Sequence, residues 1–534
     1  MNKVLKGLVA VAATAAMAVA GFAGASTAMA VDTHTVTITP AKSGHTYEAY
    51  QIFTGNLGAD GSLGNVVWGS GIDQSKLAAD STSDLIKSKD AASVSKDLAA
   101  KGNNSTEAKA YATAFSGVLS ATHMDSGDFD STGDGSYTIS GLNDGYYLIQ
   151  DKAGTLDKKN DAYTSFILKI IGADVTVVPK STQPTVDKKI QDEPADAEAG
   201  ATNGWGNTAD HDINESFQFK LDATIPAEAN LADYKTYKVK FNDTMSKGVT
   251  FESIASVKVN GNNGTAAKTW TLANTDYTAT IPAAAEDGTQ SWSLTIDDVI
   301  AKCEGIKIAQ GFTVEVIYNA HLNENATINN ASGTTDNKNS VNLEYSNNPN
   351  AEGTGKTENK TVYAFTFSIT NKKVIDDVNG AALAGAGFRL YKGEDCVQEY
   401  KLVKDNTLNA YRPVKDGEAA EAAEEMFSDN NGNFPIKGLD AGTYYLKETT
   451  TPKGYTTAAV KTITIKATHS INESGNPQVT LTSDSTLDNK IVDKKGSTLP
   501  STGGMGTVLL YVAGIAVFAL AGATLVMALR RRNA

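Results

Sequence analysis

The chain has 534 residues, a length that accommodates about three or four domains. Its 47 Lys and Arg against 61 Asp and Glu give a net charge of −14, and so acidic a chain argues against nucleic-acid binding. Its two Cys exclude a dense disulfide scaffold and a Cys-based zinc module, and its six scattered His indicate no metal or cofactor site.

The N-terminus has the pattern of a signal peptide. Lys3 and Lys6 form a basic start, residues 8–21 are apolar and small, and Ala-Met-Ala at 28–30 is an A-x-A cleavage site. We therefore predict that residues 1–30 are removed and that the protein is exported.

The span that follows is dominated by strand signals. Apolar residues alternate with polar ones, as expected of strands with one buried face, at 217–225, 237–241, 312–318, 341–345, 365–369 and 462–465. A turn followed by an aromatic strand at 141–148 is repeated at 438–446. The pattern predicts a mainly β chain of tandem immunoglobulin-like β-sandwich domains.

Three domains are predicted, at 31–180, 181–350 and 356–495. The boundaries follow two segments with the composition of linkers, at 182–185 and at 347–361, the second of which is rich in Asn, Gly and Thr.

Residues 496–534 form a distinct C-terminal segment. An uncharged run at 505–529 is long enough to cross about 30 Å of hydrocarbon, and three arginines at 530–532 hold its end in the cytoplasm. Leu-Pro-Ser-Thr-Gly at 499–503 precedes the run. This order resembles the LPxTG sorting signal of Gram-positive surface proteins. The resemblance implies that a sortase cleaves between Thr502 and Gly503; the alternative is a simple one-span membrane anchor.

The end of the first domain resembles the pilin motif WxxxVxVYPK of sortase-assembled pili. Residues 175–180 keep the Val-x-Val spacing and the final Pro-Lys, while Ile171 stands where Trp is usual and Val178 where Tyr is usual. A strand cannot continue through proline, so the next residue lies at a domain edge. The resemblance implies that the Lys180 amine attacks a thioester; the alternative is an ordinary solvated lysine.

The last domain carries a motif at 444–455 that resembles the E-box of collagen-adhesin B-type domains, YxLxExxxPxGY, together with LAGAGF at 383–388. Alternation places Glu448 on the face of its apolar neighbours. In the resembled domains a Lys of the first strand is joined to an Asn of the last by an isopeptide bond, assisted by the Glu. The resemblance assigns these roles to Lys373, Asn489 and Glu448, with Lys372 as the alternative lysine.

The middle domain repeats this arrangement. Lys188 shares the face of its apolar neighbours in the first strand, and Asp243 does so in a strand that resembles the Asp-bearing strand of pilin middle domains. We predict a bond between Lys188 and Asn347 with Asp243 as the catalytic acid, and Lys189 and Asn339 as alternatives.

Two further features separate the domains. The first domain has Gln150 where the last has Glu448, and since Gln cannot exchange a proton at neutral pH, we predict no isopeptide bond there. Asp151 is one residue out of register.

Cys303 and Cys396 fall in different predicted domains, so the sequence leaves open whether they form a bridge.

Taken together, the chain resembles the major shaft subunit of Gram-positive sortase-assembled pili, a non-enzymatic protein of the cell-wall surface. The resemblance implies a covalent polymer built by a pilus sortase from Thr502 to Lys180 and joined to peptidoglycan by a housekeeping sortase. It also implies minor pilins as partners and a host matrix protein or glycan as a target of adhesion. The alternatives are a monomeric wall-anchored adhesin, a minor pilin, and a wall-bound enzyme, for which no catalytic set is evident.

Overall fold

The computed structural model describes most of the chain from the first domain through the C-terminal helix. The described residues are 33–39, 44–59, 62–80, 82–101, 106–125, 135–177, 183–228, 231–232, 234–349, 353–415, 418, 424–496 and 506–532.

The first domain consists of two β-sheets and two helices. Its elements are β1 (His34–Ile38), β2 (Tyr47–Leu57), β3 (Leu63–Trp68), a 3₁₀ turn (Gln74–Ala78), α1 (Ala91–Ala99), α2 (Thr106–Ser116), β4 (Met124–Asp125), β5 (Tyr137–Leu142), β6 (Gly145–Asp151), β7 (Ser165–Ile170) and β8 (Val175–Val177). One sheet has the order β5-β1-β8 and the other β3-β2-β6-β7, with β4 paired to β2. One apolar core lies between the sheets and a second between the larger sheet and the helices.

The middle domain is a larger sandwich. Its elements are β9 (Thr185–Gln191), β10 (Trp205–Gly206), β11 (Thr208–Asp210), β12 (Ser216–Ile225), β13 (Val239–Met245), β14 (Val249–Asn262), β15 (Ala267–Thr271), β16 (Thr278–Thr280), β17 (Gln290–Ile296), α3 (Val299–Lys302), a 3₁₀ turn (Ile308–Gln310), β18 (Phe312–Leu322), β19 (Lys338–Ser346), β20 (Thr354–Lys356) and β21 (Lys360–Phe365). The sheets have the orders β10-β9-β12-β18-β14-β15 and β11-β21-β19-β13-β17-β16, with β20 on β19. Their inward faces form one core.

Alternation along the strands builds this core. β12 buries Phe217, Phe219 and Leu221 while the residues between them remain partly exposed, and it pairs antiparallel with β18 over its whole length. Such half-buried strands are what period-two patterns specify. The predicted mainly β fold with tandem sandwiches is confirmed.

The passage from the middle to the last domain differs from the expected linker at 347–361. β20 pairs with β19, and β21 fills the position between β11 and β19, because its backbone supplies the hydrogen bonds that those strands lack on that side. Only Thr366 separates β21 from the first long strand of the last domain.

The last domain is a sandwich with an additional hairpin. Its strands are β22 (Phe367–Ile375), β23 (Gly387–Tyr391), β24 (Glu399–Tyr400), β25 (Leu402–Asp405), β26 (Ala410–Pro413), β27 (Met426–Phe427), β28 (Ile436–Leu439), β29 (Gly442–Thr450), β30 (Lys461–Ile465), β31 (Ala467–Ile471), β32 (Pro477–Leu481) and β33 (Asp488–Asp493). One sheet has the order β25-β26-β28-β22-β33, the other β24-β23-β29-β30 with β27 on β23, and β31 pairs with β32. The first and last strands, β22 and β33, are parallel neighbours.

The chain ends in one long helix, α4 (Gly506–Arg532). Its apolar side chains are exposed, and the stretch Leu509–Arg532 is long and apolar enough to cross a membrane. The three arginines of its last turn also complement the helix dipole.

Candidate functional sites

A buried polar cluster connects the two sheets of the middle domain. The Nζ of Lys188 on β9 contacts the Asp243 carboxylate on β13 and donates to the Tyr318 hydroxyl on β18, 2.8 Å away. The Tyr318 hydroxyl also donates to Asp243 Oδ2 at 3.2 Å and accepts from the Asn339 amide on β19 at 2.6 Å. All four residues are buried. One phenol therefore contacts the amine, the acid and the amide.

Burial moves the amine and the acid of this cluster toward their neutral forms. Burial lowers the pKa of Lys188 to about 8, against the opposing effect of Asp243. Burial likewise raises the pKa of Asp243, against the opposing effect of Lys188. The low dielectric of the core disfavours charge on both groups. The pair is thus poised between an ion pair and a neutral amine beside a carboxylic acid, and the neutral amine is the nucleophilic form.

The predicted partner Asn347 lies elsewhere, at the junction with the first domain. Its amide nitrogen donates to the carbonyls of Leu156 at 3.1 Å and Asp161 at 3.2 Å. Asn339 has the same parity but lies eight residues earlier in the sequence, roughly 27 Å away along an extended chain. The described contacts therefore bring Asn339, the alternative, into the cluster of Lys188 in place of Asn347.

The last domain contains a second buried cluster. Lys373 of β22 has its Nζ 3.0 Å from Glu448 Oε2 on β29 and also contacts the Asp493 carboxylate on β33. The three side chains are each 0% exposed, and the amine lies 5.3 Å from the centre of the Phe388 ring. Burial raises the pKa of Asp493; Lys373 opposes this effect, and Glu448 adds to it.

Asn489, the predicted partner of Lys373, is buried on β33 but makes a different contact. The register pairs Lys373 with Ile491, two residues beyond Asn489. The Asn489 amide donates to the carbonyl of Thr486 at 2.9 Å. Asp493 shares the buried face of this strand, and its carboxylate is the group that reaches the lysine. The described contacts thus replace Asn489 with Asp493.

The two alternative lysines point away from these clusters. Lys189 and Lys372 are half-buried, whereas Lys188 and Lys373 are buried. The Nζ of Lys189 donates to Asn207 at 2.8 Å. Neighbouring residues of a strand face opposite sides of a sheet, so only one lysine of each pair reaches the core.

The first domain has a different buried polar set. Gln150 is half-buried and accepts a hydrogen bond from Ser116 at 3.3 Å. His45 lies between two buried carboxylates, with Nδ1 2.8 Å from Asp151 and Nε2 3.1 Å from Asp161. No lysine is buried among the described residues of this domain. The described core of this domain thus contains a histidine between two carboxylates, whereas the middle and last domains each contain a buried lysine cluster.

The proposed linkage residues are not among the residues that the structure describes. Lys180, Thr502 and Gly503 fall outside the described residues. The strand of the pilin motif, β8, is described: it pairs in parallel with β1 and forms an edge of its sheet. The chain therefore reaches the Pro-Lys pair from a sheet edge.

Cys303 and Cys396 are both free. Cys303 is buried, and burial raises the pKa of its thiol to about 12. A thiol with so high a pKa is unreactive at neutral pH, which fits a small core residue.

Two members of the clusters, Tyr318 and Asp493, are not predicted from the sequence. Tyr318 is the last residue of a strand predicted from the alternation of apolar and polar residues. An inward-facing tyrosine in such a strand is indistinguishable in the sequence from an ordinary residue of the hydrophobic core. Asp493 has the parity of Asn489, and this parity was the signal that could have revealed it.

Three family models match separate parts of the chain. Residues 213–349 match the Gram-positive pilin backbone subunit 2, Cna-B-like domain. Residues 367–482 match the SpaA prealbumin-like fold domain, and residues 491–534 match the LPXTG cell wall anchor motif. Among curated proteins, none matches the chain.

The solved structures to which the chain is similar include major pilins. The full-length major pilin SpaD from Corynebacterium diphtheriae is 17% identical, with a TM-score of 0.44 over 87% of this chain and 98% of that one. The T6 backbone pilin of Streptococcus pyogenes serotype M6 is 16% identical, with a TM-score of 0.49 over 87% and 99%. BcpA, the major pilin of Bacillus cereus, is 15% identical, with a TM-score of 0.38 over 88% and 100%.

The assignment rests on the family models and on the order of their matches. A pilin backbone domain precedes a prealbumin-like domain, and the anchor motif follows with its apolar helix. This order agrees with the predicted export and wall attachment; the predicted signal peptide, residues 1–30, lies outside the described residues. The chain is a structural, non-enzymatic backbone subunit of a Gram-positive pilus, exported and anchored to the cell wall through an LPXTG motif.

Proposed function

We propose that this subunit is polymerised through a bond between Thr502 of one copy and Lys180 of the next. The observation that carries the proposal is the placement of β8 at a sheet edge, with one residue, Val178, between the strand and the Pro179-Lys180 pair. Proline ends the pairing of such a strand, so we expect the lysine that follows it in the sequence to be accessible between the first and middle domains.

The chemistry is two acyl transfers on a sortase cysteine. The Thr502–Gly503 peptide bond breaks, Thr502 forms a thioester with the enzyme, and Gly503 leaves with the helix. The neutral Lys180 amine then attacks the thioester carbonyl, an amide forms and the enzyme thiol is released. For the last subunit an amine of peptidoglycan replaces the lysine. A pilus sortase, a housekeeping sortase, minor pilins and a host matrix protein or glycan are the partners of this scheme.

Within the middle domain, an intramolecular amide between Lys188 and Asn339 fits the contacts best. The neutral amine attacks the Asn339 side-chain carbonyl, Asp243 transfers the protons, and ammonia leaves. The Tyr318 hydroxyl, which contacts all three groups, acts as a positioning residue. Fixed proximity replaces an external enzyme.

Within the last domain, the contacts favour an amide between Lys373 and Asp493. The amine attacks the protonated Asp493 carboxyl, Glu448 transfers the protons and water leaves. The raised pKa of Asp493 supports this role, because a carboxylate is a poor acyl donor and a carboxylic acid a better one. Asn489 is the competing partner, and its use would release ammonia.

Polymerisation is tested by wall extracts on denaturing gels. Wild type should give a ladder of high-mass bands, and Lys180→Arg should give a monomer band only, because the guanidinium is not nucleophilic at neutral pH. Lys152→Arg, an exposed lysine of the same domain, is the matched control and should keep the ladder. A ladder that survives Lys180→Arg would assign the acceptor to another residue.

A further inference from the structure

A buried set of three side chains lies where the middle and last domains meet, and none of them belongs to the lysine clusters. Asp192 follows β9, Asp210 ends β11, and His469 comes from β31 of the last domain. The His469 Nε2 is 3.1 Å from Asp192 Oδ2 and 3.1 Å from Asp210 Oδ1. The side chains are no more than 1% exposed.

Each of these side chains makes a second contact through its other polar atom, on the side away from the cluster. Asp192 Oδ1 accepts from the backbone N–H of the next residue at 2.9 Å, and Asp210 Oδ2 from a backbone N–H of the last domain at 3.1 Å. His469 Nδ1 lies 2.8 Å from the Thr208 hydroxyl. The three inward atoms, His469 Nε2, Asp192 Oδ2 and Asp210 Oδ1, face one another and make no hydrogen bond to any other described residue. Such outer contacts typically orient the ligands of a metal ion.

The spacing of the inward atoms also matches a metal site. All three lie within 4.8 Å of one another. Ligand atoms about 2.0–2.2 Å from a tetrahedral zinc ion are separated by about 3.3–3.6 Å, a little more than the 3.1 Å between the imidazole nitrogen and each carboxylate oxygen. Asp196 offers a further carboxylate, since its Oδ1 is buried and unpartnered and one of its oxygens lies within 4.8 Å of one of Asp192.

The charge of the junction favours a doubly charged ion. When the imidazole is neutral, the two buried carboxylates around it leave two negative charges, and two further carboxyl groups, those of Asp212 and Asp440, are buried at the same junction. Buried charges require compensation. A protonated His469 would supply one positive charge, whereas a divalent cation supplies two.

We propose that Asp192, Asp210 and His469 bind one divalent first-row transition-metal ion, for which Zn²⁺ is the probe. A site with an imidazole nitrogen suits such an ion better than Ca²⁺ or Mg²⁺, which prefer oxygen ligands. Because two ligands come from the middle domain and one from the last, the ion fastens the two domains together.

The test is Zn²⁺ binding to the full chain purified in detergent, measured by competition with a chelating dye. Wild type should bind one high-affinity equivalent. His469→Gln and Asp192→Asn should weaken binding by about 100-fold or more, since loss of an outer contact alone costs 10–100-fold. Thr208→Val, which removes only the outer contact of His469, should fall in that 10–100-fold range.

His321→Gln is the matched control, because His321 also pairs with a carboxylate, Glu252, at 2.7 Å, and it should bind Zn²⁺ as wild type does. Co²⁺ bound to wild type should give the intense visible absorption of a four- or five-coordinate site, a readout that needs no variant. A wild type that binds no stoichiometric Zn²⁺ would show that the cluster is an imidazolium ion pair and overturn the proposal. Unchanged binding in His469→Gln would also overturn it.

Discussion

Lys188 shows how burial can turn a structural cost into reactivity. A lysine amine buried beside a carboxyl group is costly as an ion pair unless the geometry compensates for lost hydration. The same loss of hydration favours the neutral amine and the carboxylic acid, as the pKa of Lys188, lowered to about 8, illustrates. An amide formed between such groups carries no charge. The reaction therefore removes the free-energy cost of burying an ion pair, and the same cost favours the neutral forms that react.

The intact mass of the protein identifies the residue that forms the amide with Lys188. Amide formation with Asn339 releases ammonia, about 17 Da. We expect the intact mass of Asn339→Ala to lack this loss of ammonia. The intact mass of Asn347→Ala should still show it, because the Asn347 side chain contacts the first domain instead. The reverse result would restore Asn347 as the partner.

The partner of Lys373 is distinguished in the same way. With Asp493 the leaving group is water, about 18 Da, rather than ammonia. Tryptic peptides of wild type should contain a branched peptide joining Lys373 to Asp493. Asp493→Ala and Glu448→Ala should both abolish it, the first by removing the acyl donor and the second by removing the proton carrier. Asn489→Ala is the control, and loss of the branched peptide in that variant would contradict the assignment.

At the scale of elements, the two proposed bonds connect different parts of their sandwiches. The middle-domain bond joins β9 to β19, which lie in facing sheets, whereas the last-domain bond joins the parallel neighbours β22 and β33. Each closes a loop of well over a hundred residues, which on the cross-link entropy model contributes about 5 kcal/mol. That is comparable to the whole stability of many domains, about 5–15 kcal/mol.

The strands of the first domain depend instead on an ion pair that responds to pH. Burial alone would lower the pKa of His45, but hydrogen bonds and charge interactions with Asp151 and Asp161 raise it from 6.5 to about 9. A histidine with a raised folded pKa stabilises fully below its unfolded pKa, and this stability is lost as pH rises through the folded value. The first domain should therefore lose up to about 3 kcal/mol between pH 6 and pH 9.5.

Amide hydrogen exchange in β2, which follows His45, measures this loss. The ratio of exchange rates between His45→Gln and wild type should be large at pH 6 and approach one at pH 9.5. A ratio that does not change with pH would show that His45 is not charged in the folded domain.

Strand alternation accounts for what the sequence could and could not predict. It placed Lys188, Lys373, Asp243 and Glu448 on inward faces, and the structure buries all four. Parity repeats every two residues, however, so it cannot choose between Asn339 and Asn347, or between Asn489 and Asp493; that choice depends on register. The junction cluster of Asp192, Asp210 and His469 depends on contacts between domains, which no local pattern encodes.

At the scale of the whole molecule, the positions of the two proposed linkage residues separate the first domain from the middle and last domains. Lys180 precedes β9 and Thr502 follows β33, so the middle and last domains lie between the two attachment points of a subunit. Tension along a fibre would pass through these two domains, which contain the lysine clusters. The first domain lies outside that path and has no buried lysine among its described residues.

This division predicts an order of cleavage. Trypsin or heat should attack the first domain before the others, because we predict no cross-link between its strands. Glu448→Ala should make the last domain comparably sensitive while preserving its fold, whereas Glu399→Ala, which removes a partly exposed ion pair with Arg389, should not. Fragments identified by mass provide the readout, and a last domain that resists equally in Glu448→Ala and wild type would contradict a stabilising bond directed by Glu448.

The most direct measurement is the chemical structure of the inter-subunit linkage. High-mass bands from wall extracts, digested with trypsin and sequenced by mass spectrometry, should yield a branched peptide in which the Thr502 carbonyl forms an amide with the Lys180 Nζ. Lys180→Arg should remove that peptide together with the bands. A branched peptide through a different lysine, or high-mass bands without one, would contradict the proposed shaft assembly.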